Sequence, residues 1–480
     1  MNYRMIGHTM GLVMLLEALC LVPMAIVSLL YRESVLPFLY TILILAALAI
    51  PLMLISQKKR HFLSREGYVT AALSWVLFSL FGALPFLFCG HFNNYIDCLF
   101  EAISGFTTTG ASILDNIEAL PKGILLWRST THFIGGMGIL VLATAIMSSD
   151  KNRAHYLTKA EMPGPTADKL VPKLTDSSKI LYMMYVILTV FEILALLICR
   201  LSLYDSVNIA FSTAGTGGFS VMNASIAAYN SPAVEVVVSV FMLVFAVNFT
   251  VYFLFITGRA KLAAKNEEFR FFLLVVVISV LITTALTISS AGSFGTALRQ
   301  ALFTVAATIS TTGFVVVDYD TLWPAAAKAV IILLMLIGAS AGSTGGGIKC
   351  SRVLVLIKSV VREIKHIIHP RAVTAIRIDD SSVADSTLFG ILHFFAAYIG
   401  ISLLGLLLVS VDNHDFTTTF ISVISCMGNV GPALGLAGPV CNYAFFSIFS
   451  KIVLSILMLI GRLEIFPILI LLSPSTWRRN

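Results

Sequence analysis

Small hydroxyl residues and glycine meet in a similar order at four distant points of this 480-residue chain. The stretches are Thr107-Thr108-Thr109-Gly110-Ala111-Ser112, Gly215-Thr216-Gly217-Gly218-Phe219-Ser220, Ser310-Thr311-Thr312-Gly313-Phe314 and Gly428-Asn429-Val430-Gly431-Pro432. Taking Gly110, Gly218, Gly313 and Gly431 as equivalent sets them 108, 95 and 118 residues apart. Two coincidences support that register. Ser104, Ser212 and Ser425 each stand six residues before their glycine, where the third copy has Ala307. Asp97 and Asp205 each stand thirteen before theirs. Glycine lets a turn adopt backbone angles that aim carbonyls inward, and a ring of such oxygens can replace an ion's hydration shell. The expected layers are Thr108, Thr216, Thr311 and Asn429, then Thr109, Gly217, Thr312 and Val430, then the four glycines. The plainer account of any one copy is that small residues let membrane helices pack closely. Four copies in register weigh against it.

Two further features could act on an ion that has passed such a ring. The segment from Gly338 to Gly347 holds five glycines in ten positions, Gly338, Gly342, Gly345, Gly346 and Gly347. At about 1 kcal/mol each relative to Ala, these cannot belong to a plain helix. Its spacing approaches a phosphate-binding loop, but Ile348 stands where the lysine should be, and nucleotide binding is not expected. A packing kink or a mobile loop beneath the ring remains, and unwound backbone at membrane depth needs a watery cavity. Arg462 lies inside an apolar run, where a lone cation is costly and normally faces a cavity or a partner. It either pairs with Glu192 or Glu464 or stands as a charge barrier below the ring. Lys451, eleven residues earlier on the same helix, is expected near the outer end with its ammonium snorkelling to water.

The composition demands a membrane around these elements. Charged residues are 12% of the chain, about half the roughly 25% of soluble proteins, and mean hydropathy is +0.93. Long apolar runs fall near 6–31, 36–56, 67–90, 123–148, 180–201, 233–257, 270–290, 324–358, 387–411 and 445–472, which predicts about ten spans. Between them, stretches near 95–106, 204–214, 297–309 and 416–427 are too short to cross and read as re-entrant helices. Each would point its partially negative C-terminal end at a common axis, favouring a cation there. Segments after the second, fourth and sixth runs and after the break in the eighth, with both termini, carry 24 of the 32 Lys and Arg. They are therefore expected on the cytoplasmic side. Acidic residues flank the short stretches on the other side: Asp97, Glu101, Asp115, Glu118, Asp205, Asp318, Asp320, Asp412 and Asp415. They form either ordinary loops or an anionic vestibule that gathers cations.

Other chemistry finds little footing. The seven cysteines are scattered without a CxxC and read as small buried hydrophobes. His132 and His393 have no companion at metal-ligand spacing and read as packing or hydrogen-bonding residues. A pI near 9.0 comes with no basic run long enough for nucleic acid. No nucleophile elbow or paired-carboxylate pattern points to an enzyme. A coupled transporter with a midplane site would show inverted repeats, whereas these turns recur in parallel.

The expected fold is an all-α polytopic membrane protein, with four units of span, short helix, glycine turn and span around one pore. Residues 1–60 add two N-terminal helices; the units occupy 61–150, 151–262, 263–372 (with the loop 338–347) and 373–480. This arrangement, with its TTTG, TGG, TTG and NVG turns, resembles the Trk/Ktr/HKT superfamily of potassium transporters. The extra N-terminal spans and the segment Ile460-Gly461-Arg462-Leu463-Glu464-Ile465-Phe466 are similar to the bacterial TrkH-type subunit. The resemblance implies a potassium selectivity filter at the four turns, with one glycine each. It also implies an intramembrane gate at 338–347 and a barrier role for Arg462. Further implications are a homodimer with one pore per protomer, a cytosolic TrkA-type nucleotide-binding subunit, a bacterial inner-membrane location and no organic cofactor on this chain.

Overall fold

In hydrocarbon a chain must satisfy its own backbone N–H and C=O groups, and an apolar run does so as a helix. The computed structural model describes residues 3–54, 64–138, 174–371, 375–379 and 381–477. Among them the only strands are Arg377–Ile378 and Ser381–Ser382, paired antiparallel. The basic residues Lys58, Lys59 and Arg60, the segment 151–173 and the expected unit boundaries near 60, 150 and 372 lie outside the described residues.

Six of the described helices are long and apolar enough to cross a membrane: Tyr3–Leu30, Leu36–Leu54, Arg65–Phe88, Lys179–Ile198, Glu267–Ala291 and Asp385–Asp412. Two bent pairs raise this to eight if each is one span: Pro232–Ala246 with Phe249–Ile256, at 93°, and Ile448–Arg462 with Phe466–Leu472, at 119°. The sequence predicts about ten. Of the remaining two runs, one is helical over Lys122–Met137 and leaves the described residues after Gly138. The other, 324–358, is not one helix. It divides into Ala325–Ile337, an irregular segment rich in glycine, and Cys350–Ile368.

The helices are turned inside out relative to soluble ones. On Glu267–Ala291 the exposed face carries Leu273, Leu274, Val277, Ile278, Leu281 and Ile282, whereas Ser279, Thr283, Thr284 and Thr287 are buried. Lipid tails accept the first set, and small polar residues permit close helix contact on the second. The N-terminal pair uses the same device: a β-carbon on Gly11 would lie 2.9 Å from the Ala49 carbonyl oxygen.

The four short stretches are helices Tyr95–Phe106, Leu203–Gly215, Phe294–Ile309 and Phe416–Gly428, the third beginning three residues earlier than its sequence suggests. Two buried ion pairs seat the first. Glu101 on the short helix meets Arg128 on Lys122–Met137 at 2.8 Å, with side-chain exposures of 0% and 1%. Asp97 meets Lys451 on Ile448–Arg462 at 2.7 Å. Lys451 therefore does not snorkel to water; it closes the fourth segment onto the first. Asp97 and Glu101 likewise do not serve a vestibule, since their charges are neutralised inside the protein. Removing one partner of such a pair leaves an uncompensated buried charge. Lys451→Met should lower unfolding stability by about 3–5 kcal/mol, and Asp97→Asn in the same chain should restore much of it. Thermal denaturation of the purified proteins in detergent measures both.

Candidate functional site

Each short helix starts from a side-chain cap. Asn94, Ser202, Ser293 and Asp415 accept the backbone N–H three residues on, from Asp97, Asp205, Thr296 and Thr418. In the first two copies the cap also donates to the acid it faces, Asn94 Nδ2 to Asp97 Oδ2 at 2.9 Å and Ser202 Oγ to Asp205 Oδ2 at 2.7 Å. This reciprocal capping is the physical content of the thirteen-residue spacing. Thr418 keeps that spacing from Gly431. Thr296 does not, because the third helix has 16 residues against 12, 13 and 13.

The helices also end alike. The N–H of Thr109, Gly217, Thr312 and Val430 reaches back to the carbonyl of Ser104, Ser212, Ala307 and Ser425 at 2.8–2.9 Å. The preceding N–H, of Thr108, Thr216, Thr311 and Asn429, bonds Gly105, Thr213, Thr308 and Cys426. Such a paired closure requires one left-handed residue, normally glycine. Here it falls on Thr108 (φ 54°), Thr216 (φ 56°), Thr311 (φ 60°) and Asn429 (φ 55°). A β-branched residue at these angles is strained by about 1–3 kcal/mol. The serine register thus marks the carbonyl that closes each turn.

Two residues later, Gly110, Gly218, Gly313 and Gly431 again have positive φ. What surrounds them reveals a closed figure. A β-carbon on Gly110 would lie 1.9 Å from the Gly217 carbonyl oxygen, and one on Gly218 would lie 2.0 Å from that of Thr312. On Gly313 it would be 2.2 Å from Val430 O, and on Gly431 2.4 Å from Thr109 O. Each glycine abuts the central carbonyl of the next turn, and the fourth returns to the first. All twelve residues expected in the three layers are therefore brought together. The central-layer threonine hydroxyls are occupied locally, Thr109 by Thr107 at 2.8 Å and Thr312 by Ser310 at 2.7 Å. Of the twelve carbonyl oxygens, only that of Gly431 accepts a hydrogen bond among the described residues, from the Tyr443 hydroxyl at 2.7 Å. Nine of the twelve residues are buried, and Gly110, Gly218 and Gly313 are partly exposed. Buried carbonyls normally find donors; those of the eight buried ring residues other than Gly431 find none among the described residues, an arrangement able to receive a cation.

A second ring of hydrogen bonds ties neighbouring turns just beyond. Asn223 joins the first two through Ile117 and Glu118, at 2.7 and 3.0 Å. Val315 bonds Ala227 and Ser225, Asp320 accepts the Gly435 N–H at 2.7 Å, and Asn442 bonds Asp115 at 2.7 Å. Asp115, Glu118 and Asp320 are thus structural ties as well as surface charge. Hydrogen bonds from Thr418 hold the exposed Asp415 carboxyl below the usual carboxylate range.

Beneath the turns lies the segment from Gly338 to Gly347. Its ends cross: a β-carbon on Gly338 would stand 2.5 Å from Gly346 O and 2.7 Å from Gly347 Cα. Its N–H groups bond Ala246 O from Ser340, Glu268 from Ala341 at 2.6 Å, Thr311 Oγ1 from Gly346 at 2.6 Å and Gly428 O from Gly347 at 3.0 Å. The Lys349 ammonium donates to Gly345 O. Arg462 donates to Thr344 O at 2.7 Å and to Gly135 O and Gly136 O at 2.6 and 2.7 Å. These acceptors are backbone carbonyls, not the carboxylates weighed from the sequence; Glu464 is paired with Arg352 instead. Arg462 therefore bridges the loop to the end of Lys122–Met137. Around it, Glu464 (φ 54°) and Ile465 (φ 70°) form the strained break between Ile448–Arg462 and Phe466–Leu472.

His132 behaves as its surroundings require: it stacks on Phe219 with centroids 4.2 Å apart, and Nδ1 accepts the Phe219 N–H at 3.4 Å. The cysteines are less uniform than expected, since Cys441 is exposed. Arg128 is the residue sequence reasoning passed over. Besides Glu101 it reaches Ser220 O at 3.1 Å, and its guanidinium lies 4.1 Å from the Phe219 ring centroid, bracing the second turn. A cation inside an apolar run was the available signal.

Comparison with known proteins finds similar chains over the whole length. The family model for TrkH, described as cation transport protein, matches residues 37–478. The "Trk system potassium uptake protein TrkH" of Escherichia coli K12 is 35% identical and that of Halomonas elongata 34%, each with 100% of both chains covered. The crystal structure of the "Potassium Transporter TrkH" from Vibrio parahaemolyticus superposes with a TM-score of 0.90 at 32% identity, covering 100% of each chain.

Gly110 and Gly90 separate contact from conformation. Their φ values are 79° and 74°, yet nothing lies within 4 Å of a β-carbon on Gly90. Gly90→Ala should lose only about 1–2 kcal/mol for the left-handed backbone. Gly110→Ala should lose a further 1–3 kcal/mol or so from overpacking, read as a larger fall in melting temperature.

Proposed function

The chain belongs to the TrkH family of cation transport proteins, and from that premise we propose that it takes up potassium through the four-turn ring. The observation that carries this reading is the closed set of twelve carbonyls, eleven of them without a donor among the described residues. Oxygens of Thr108, Thr109, Gly110, Thr216, Gly217, Gly218, Thr311, Thr312, Gly313, Asn429, Val430 and Gly431 would replace the hydration shell of a potassium ion layer by layer. The negative ends of the four short helices favour a cation at that place. Potassium is the cargo in this reading, as in the names of the relatives.

In this reading the loop 338–347 is the gate and Arg462 is both latch and barrier. The loop occupies the space under the ring, bonded to the second, third and fourth segments and linked to the first through Arg462, and passage requires that it move. Positive residues after the apolar runs support cytoplasmic termini, with the short helices on the outer side, in a bacterial inner membrane. The Trk system name of the relatives supports assembly with a further component. The proposed partners are a second copy of this chain and a cytosolic TrkA-type nucleotide-binding subunit docking on basic segments such as 349–377.

Rubidium uptake into potassium-starved cells, with and without the gene, tests transport itself; equal uptake would refute it. For the ring, Gly313→Ser should relax potassium-over-sodium preference in proteoliposomes, because a β-carbon there meets Val430 O. Ion ratios equal to the parent in well-folded protein would remove the filter assignment. For the latch, Arg462→Ala removes a positive charge and frees Thr344 O. A unit charge about 6 Å from the ion at an effective dielectric near 20 opposes it by roughly 2.8 kcal/mol; water and neighbouring dipoles reduce this, and a severalfold rise in flux is expected. Flat or reduced flux per folded protein would leave Arg462 a purely structural brace.

A further inference from the structure

The four left-handed residues that end the short helices occupy equivalent positions, yet their side chains are engaged differently. The Thr108 hydroxyl is buried without a partner. The Thr216 hydroxyl donates to the adjacent Gly215 carbonyl at 2.6 Å. Asn429 Nδ2 donates to Thr109 Oγ1 at 3.0 Å and to Met458 O at 2.9 Å, bracing the fourth turn against the first. Thr311 Oγ1 accepts the Gly346 N–H of the glycine-rich loop at 2.6 Å. Beside it the Gly347 N–H donates to Gly428 O at 3.0 Å, and a β-carbon on Gly345 would lie 2.8 Å from Ser310 O. The loop is thus pressed against the C-terminal ends of the third and fourth short helices.

Those ends are where carbonyl dipoles accumulate negative potential. Backbone N–H groups carry the complementary partial positive charge. The loop therefore meets the helix ends with the same polarity that a cation would bring. Gly346 and its neighbours have no side chains to interpose, which permits this approach. Thr311 supplies the only side-chain acceptor that the loop finds among the four equivalent positions.

We propose that Thr311 is the positioning residue that holds the loop in its blocking place: its hydroxyl docks the Gly346 N–H and so couples the third turn of the ring to the gate. The proposal rests on the reading of the loop as a gate and specifies which turn governs it. When the loop moves, the Gly346 N–H must leave Thr311 and the Gly347 N–H must leave Gly428. Loop displacement and release of the third and fourth turns then occur together.

The test is rubidium efflux from liposomes containing the purified full-length chain, normalised to folded protein. Thr311→Val keeps the branched shape and removes the acceptor. It should raise flux between about twofold and tenfold, the range of one hydrogen bond's net contribution. Thr311→Ser, which returns a hydroxyl, should restore most of the block. The decisive comparison repeats Thr311→Val in a chain shortened within 338–347. There the substitution should add nothing, because the loop it docks is gone. If the shortened chain does not fold, Arg462→Ala, which frees the same loop at Thr344, serves as the background and should reduce the effect of Thr311→Val. A Thr311→Val chain with parental flux, or one whose rise persists undiminished without the loop, overturns the proposal. Shortening that raises flux while Thr311→Val does not refutes the Thr311 assignment alone. Shortening that leaves flux at the parental level refutes the gate and the docking role together.

Discussion

Everything around the four turns depends on how closely one backbone can approach another. Each ring glycine lies against the carbonyl of the next turn at a distance that admits no β-carbon, and this contact sets the diameter of the ring. Were the turns farther apart, their oxygens could not act jointly on one ion. Were they packed through side chains, the carbonyls would find donors and lose their availability. Close approach and unsatisfied oxygens are two aspects of one constraint.

That constraint has to be maintained against strain. Three threonines and an asparagine held in left-handed geometry would relax if the helix ends were free to unwind. They are not free. Side-chain caps fix the start of every short helix, and paired closures fix the end. Buried ion pairs Glu101–Arg128 and Asp97–Lys451 seat the first helix between its neighbours. Charges that would be liabilities in hydrocarbon are placed where their removal would be worse than their retention. Below the ring, Arg462, Lys349 and Glu268 use the same principle on the loop, meeting backbone groups that no helix satisfies.

Much of this was legible in the residues. The apolar runs, the four short helices and the break at Gly338–Gly347 follow from lipid chemistry and glycine content, and the ring register follows from Ser104, Ser212 and Ser425. Partner choice was not legible. Arg462 could be placed in the membrane from its run, yet the acceptors it meets include carbonyls of Thr344, Gly135 and Gly136, groups that every residue possesses. Lys451 looked like an outer-end lysine because its partner Asp97 is 354 positions away. Asp97 and Glu101 stood with the outer acids because sequence shows their charge without the buried cations that neutralise it. The eighth run breaks at its glycines as expected; what hydropathy did not mark is that Cys350–Ile368 beyond the break is a separate helix with apolar and basic residues interleaved.

The ring is closed within a single polypeptide, and this has a consequence for inheritance. In an assembly of four identical chains, one codon change alters all four quadrants at once, and any tolerated residue must suit every position. Here each quadrant has its own codon. Thr108, Thr216, Thr311 and Asn429 could diverge one at a time, and the third helix could gain a turn without its counterparts following. The quadrants are therefore free to specialise: one braced to its neighbour by Asn429, another engaged with the segment beneath it through Thr311, while all four keep the glycine that none can lose.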